Sequence, residues 1–211
     1  MILFLYANVV LAQKQCSCSL YSELNEQISC KDLVFRNKAK LYWQFNCSKA
    51  WLTFKSRHGK NRIIFSLNRD FFRLQGRLGY VSFTEYPSFF LAQNNVISGC
   101  CDPPIFYVHD KNTGKIKSEL GSLVYFSKAY DTPVVIFTKG DFLIVLNVET
   151  GKKHLIKLPK GSIVQGLRYK KTLYAENLFT TQQRQEQLII NFDYKNNEKL
   201  VTHFDIDLKN Y

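Results

Sequence analysis

The chain has 211 residues, 45% hydrophobic and 22% charged, with net charge +12 and a pI near 9.4. That length and balance exclude a disordered chain and allow one domain with a sizeable core. Aromatics reach 15%, mostly Phe and Tyr, which favours strands because such side chains suit the pleated, half-buried surface of a sheet.

Residues 1–12 are uncharged and mostly apolar, and Val10 and Ala12 stand at the −3 and −1 positions of a signal-peptidase site. They are expected to form a signal peptide that leaves Gln13 as the new N-terminus, although the usual basic leader residues are missing. No later run approaches the roughly 20 apolar residues of a membrane span, so no transmembrane anchor is expected. The expected compartment is secreted or periplasmic.

Residues 13–30 form a Cys-rich segment with a short helix or turn over 20–24. Cys16, Cys18, Cys30, Cys47, Cys100 and Cys101 are the six cysteines, and an even count in an exported chain suggests disulfides. Residue order does not choose among the pairings. At least one bridge is expected in the first fifty residues, involving Cys30 and Cys47. A ring between adjacent Cys100 and Cys101 would be strained, so separate partners or free thiols are expected there. A zinc site at Cys16, Cys18 and Cys30 is disfavoured because Cys-x-Cys is tighter than zinc spacing, so neither metal nor cofactor is expected.

Residues 31–211 are expected to form a single β-rich domain. Strand-like runs fall in four groups: 33–36, 41–45, 50–54 and 62–67; 80–83, 89–91, 105–108 and 115–120; 123–126, 134–137, 142–146 and 153–158; 163–168, 172–176, 188–192 and 200–208. Residues 182–187 are a polar insertion in the last group. Within the groups one unit recurs: an apolar run, an Asp or Asn, then a turn. Residues 105–108 lead to Asp110 and Thr113-Gly114-Lys115, and 142–146 lead to Asn147 and Thr150-Gly151-Lys152. Residues 188–192 lead to Asp193 and Asn196-Asn197. The first group has Lys55 where the Asp or Asn should stand. The runs 142–146 and 188–190 do not alternate, so both are expected to be covered on both faces.

The two turn glycines are 37 residues apart. These units resemble β-propeller blades, which repeat every 40–50 residues or so. The resemblance implies a propeller-like stack of about four short antiparallel sheets; a β-sandwich is the alternative. Arg77-Leu78-Gly79-Tyr80 and Gly99–Pro103 also resemble segments of uncharacterised secreted proteins of Bacteroidetes type, which implies a family but no activity.

No nucleophile elbow, zincin helix, P-loop or dinucleotide fingerprint occurs. Residues 98–104 read as a rigid Cys-Pro turn. On the last strand His203, Asp205 and Asp207 alternate onto one face, an arrangement that suits a metal or acid–base pair but is expected to be a solvated edge. The charge split is sharper: residues 31–77 carry twelve Lys and Arg against two acids. Lys55, Arg57, Lys60 and Arg62 lie in a loop between two strands, with Trp43 and Trp51 nearby as a platform for sugar rings or a protein. The leading expectation is a non-catalytic exported binding module for an anionic glycan or an acidic protein. Nucleic acid is not expected. The alternatives are a hydrolase of cell-wall or glycan material, and an inhibitor or immunity protein for a secreted enzyme.

Overall fold

The computed structural model describes residues 15–70, 79–95, 103–194 and 201–211. The protein is all-β, and among these residues four antiparallel sheets form in chain order. Sheet 1 holds β1 (Leu33–Val34), β2 (Lys40–Phe45), β3 (Lys49–Lys55) and β4 (Asn61–Asn68). Sheet 2 holds β5 (Tyr80–Glu85), β6 (Phe89–Asn94), β7 (Ile105–Asp110) and β8 (Ile116–Leu120). Sheet 3 holds β9 (Ser122–Phe126), β10 (Val134–Lys139), β11 (Phe142–Asn147) and β12 (Lys153–Lys157). Sheet 4 holds β13 (Phe179–Arg184), β14 (Gln187–Asp193) and β15 (Val201–Asp207). Each sheet is an up-and-down meander, so every strand pairs with its sequence neighbour.

Three hydrophobic cores hold the sheets in a row. Leu41, Trp43, Leu52 and Phe54 of sheet 1 pack on Tyr80, Phe90 and Ala92 of sheet 2. The opposite face of sheet 2, with Leu91, Phe106 and Val108, packs on Val135, Phe137, Ile144 and Leu146 of sheet 3. The other face of sheet 3, with Val134, Ile136, Leu143 and Val145, packs on Leu188, Ile190 and Phe192 of sheet 4. Sheet 3 is thus covered on both faces, as its non-alternating sequence requires. Sheet 4 is not: Leu188 and Ile190 enter the core, while Ile189 on the other face is half-exposed beside Asn191 and His203. Among the described residues no hydrophobic cluster joins sheet 4 to sheet 1. The arrangement is four sheets in series, where a sandwich would have two.

The last group departs most from its sequence pattern. Residues 163–168 were expected as a strand but belong to helix α2 (Ser162–Lys170). Ile163 and Leu167, four apart, share the helical face turned to the core, and buried Gly166 lets the backbone close on Leu178. Residues 175–178 form a 3-10 turn, and the polar stretch begun at Gln182 is split between β13 and β14. β13 lacks apolar alternation because, after Phe179, every residue in it is exposed.

The N-terminal segment folds onto sheet 1. Gln15 accepts a backbone hydrogen bond from Phe45, extending the edge of β2 beyond the short β1. Helix α1 (Glu23–Gln27) places Leu24 in the sheet 1 core, joined by Ile28 just beyond its end. Disulfides Cys16–Cys30 and Cys18–Cys47 fix this layer. Cys30 and Cys47 are both bridged, each to a cysteine of the 13–30 segment, and these two bridges occupy the sulfurs considered for zinc. The segment expected as signal peptide and the Cys100–Cys101 pair lie outside the described residues.

Candidate functional site: the basic turn end

The turns between first and second strands, and between third and fourth, all lie at one end of the stack. The recurring unit builds the turns between third and fourth strands. Asp110 Oδ1 accepts from the backbone of Asn112 and Thr113 and from the Thr113 hydroxyl, while Gly114 N–H donates to the Asp110 carbonyl. Asn147 Oδ1 accepts from Glu149 and Thr150 in the same way, and Gly151 N–H donates to the Asn147 carbonyl. A short acceptor side chain is needed because it must turn back onto its own following amides. In sheet 1 that acceptor is Ser56: its Oγ accepts from Lys60 N–H, and Gly59 N–H donates to its carbonyl. The unit is present in sheet 1 after all, shifted by one residue from Lys55 and one residue shorter.

These turns are tied across sheets. Arg62 Nε donates to the Thr113 carbonyl at 3.1 Å. Gly114, at φ +69, lies so close to Phe54 of sheet 1 that a Cβ would come within 2.5 Å of its ring. Lys111 is fully buried and donates to Glu85 and to the Tyr86 carbonyl. Glu85 also accepts from Arg36 N–H, and Asn37 Nδ2 donates to the Lys111 carbonyl. Arg36 stacks 3.8 Å above the Tyr130 ring of sheet 3. Tyr86 OH donates to the Ser127 carbonyl, and Glu149 accepts from Ser88 N–H. Sheets 1, 2 and 3 are therefore rigidly joined at this end.

Lys55, Arg57, Lys60 and Arg62 are brought together here, all exposed, on the β3–β4 turn. Arg57 Nε donates to the His58 ring, and Arg62 is anchored as above. The two tryptophans are not brought to one platform. Trp43 is in the core between sheets 1 and 2, edge-on to Phe65. Trp51 points to the opposite face, with Lys49 over its ring and its Nε1 donating to Gln44. Trp51 shares that face with Lys55, but the residue is only 8% exposed. Arg36 and Lys115 are further exposed cations near these turns, separated in sequence from the Lys55–Arg62 run.

Elsewhere, His203 hydrogen-bonds Asn191 and lies 3.3 Å from Asp205, both largely exposed, while Asp207 caps the final 3-10 turn by accepting from Lys209 N–H. The three side chains do not converge. Buried His109 has its pKa lowered by desolvation; its Nδ1–H donates to the Gly114 carbonyl and steadies the same turn.

No family model matches the chain, and no curated protein matches it. The solved structures it is similar to include Kluyveromyces lactis Hsv2, at 6% identity and a TM-score of 0.28, covering 85% of this chain and 49% of that one. The chain spans about half the length of that protein. No helix among the described residues is long and apolar enough to cross a membrane.

Proposed function

We propose that the protein is an exported, non-catalytic binding module that takes an anionic glycan on its basic turn end. The observation that carries this is the β3–β4 turn: Arg57 and Lys60 stand exposed on a tip whose base Arg62 pins to the neighbouring sheet. A rigid support keeps the ordering cost of binding low, and clustered cations raise the local concentration of an anion. Two disulfides support an oxidising compartment, secreted or periplasmic. We also take each sheet as a blade-like unit of propeller type; the antiparallel meander of all four sheets, and in sheets 1 to 3 the four-strand count and the recurring Asp/Asn/Ser-to-Gly-Lys turn, support it.

Binding of a sulfated polysaccharide, followed by calorimetry across a salt series, tests this. Affinity should fall steeply with salt, because the screening length is only about 8 Å at physiological ionic strength. Replacing Lys55, Arg57, Lys60 and Arg62 by Gln should lower affinity about tenfold or more with an unchanged circular dichroism spectrum. Indifference to both salt and substitution would leave the turn as solubilising charge. Salt-sensitive binding to an acidic protein alone would replace the glycan by that partner class.

A further inference from the structure

Sheet 3 extends beyond the sheet that covers it. By register, Phe137 and Lys139 of β10, Phe142, Ile144 and Leu146 of β11, and Lys153 and Leu155 of β12 all face sheet 2. Phe137 is buried beneath sheet 2, but Phe142 is 39% and Leu155 58% exposed. Where the cover ends, a half-open cleft of about 470 Å³ opens between the sheets. Its floor is apolar: Phe89 from sheet 2, and Phe137, Ile144, Leu146 and Val148 from sheet 3. Its mouth carries Lys117, Lys139 and Lys153, with Glu119 and Glu149. Glu149 is occupied by Ser88 N–H at 2.7 Å. Among the described residues no carboxylate pairs with any of the three lysines.

We propose that this cleft binds an amphiphile with an apolar body and a single anionic head, of the medium-chain carboxylate type. The volume lies within the range of ligand clefts, about 300–1,000 Å³. An apolar floor favours a body that displaces water from it, and a mouth with three lysines against two glutamates is net positive by one charge, which favours an anionic head over a cationic one. A cationic amphiphile of equal length would meet the same floor and an opposing mouth. The cleft lies between sheets 2 and 3, and none of its lysines belongs to the basic β3–β4 turn.

The test is calorimetric titration of the full chain with monomeric dodecanoate and, separately, dodecyltrimethylammonium. Dodecanoate should bind saturably and at least about tenfold more tightly than the cation. The combined change Lys117→Glu, Lys139→Glu and Lys153→Glu, all at exposed positions, should weaken dodecanoate about tenfold or more without moving the melting temperature. Ser118→Trp, which fills the cleft from β8 without changing charge, should block binding and covers the case in which the charge variant fails to fold. The variant lacking charge at Lys55, Arg57, Lys60 and Arg62 should bind dodecanoate as the parent does. Absence of saturable binding, equal affinity for the cation, or unchanged affinity in a folded lysine variant or in Ser118→Trp overturns the assignment.

Discussion

Asp110, Asn147 and Ser56 hold equivalent turns with decreasing numbers of bonds: three, two and one accepted by the side chain. Each net bond contributes on the order of 0.5–1.5 kcal/mol. Asp110→Ala should therefore cost about 1–2 kcal/mol and Ser56→Ala less than about 1 kcal/mol by urea denaturation, and the reverse order would disprove the equivalence. Lys111 is a different case, because its ammonium is buried and bonded to Glu85 and a carbonyl. Lys111→Ala leaves Glu85 without that partner and should cost on the order of 3 kcal/mol. His109 gives the pH dependence. Since Gly114 O can only accept, the ring proton is on Nδ1, and buried Nε2 has no partner. Its folded pKa is lowered, so it adds nothing to the pH dependence above the unfolded value near 6.5 and subtracts stability as pH falls below it. Urea midpoints at pH 7.5 and pH 5 should differ, and His109→Gln should shrink that difference.

The elements were legible where burial dictates side-chain pattern. β10 and β11 are buried on both faces, so uninterrupted Val, Ile and Leu runs declared them. Strand positions in sheets 1 to 3 followed the apolar runs and the Gly-Lys turns. β13 was not legible: beyond buried Phe179 it is an exposed strand in which Thr180-Thr181 is the remaining β signal. α2 was mistaken for a strand because a short apolar run does not distinguish periods of 2 and 3.6. The basic turn was plain as a run of charge, but the alternation that sends Trp43 and Trp51 to opposite faces required knowing β2 and β3 to be paired. Cysteine content announced disulfides without their partners. Unfolded, unreduced protein should titrate at most two thiols, those of Cys100 and Cys101, and more than two would contradict the bridges described. Removing Cys18–Cys47 by Cys→Ser changes should cost on the order of 3 kcal/mol, by the loop-entropy relation.

In the molecule as a whole, sheets contact mainly their neighbours, so stability is close to a sum of sheet and interface terms. Sheets 2 and 3 have partners on both faces. Amide exchange should accordingly be slowest in β6, β7, β10 and β11 and fastest in β1 and β13. Gly121, the single residue between β8 and β9, fixes the sheet 2–sheet 3 join, since a Cβ there would lie 1.9 Å from the Thr138 carbonyl oxygen. Gly121→Ala should lower the melting temperature more than any other single substitution proposed here.

The disulfides stand at one end of this row. Sheet 1 is cross-linked to the layer beside it, whereas sheet 4 is retained by side-chain packing and a few hydrogen bonds, such as Tyr125 OH to Gln183. Loss of structure therefore has a direction. A protease acting on rare openings should cut first in the last fifty or so residues and leave an N-terminal fragment that resists longer. Reduction of the bridges should make the two ends comparably vulnerable, turning a polarised digestion pattern into a symmetric one.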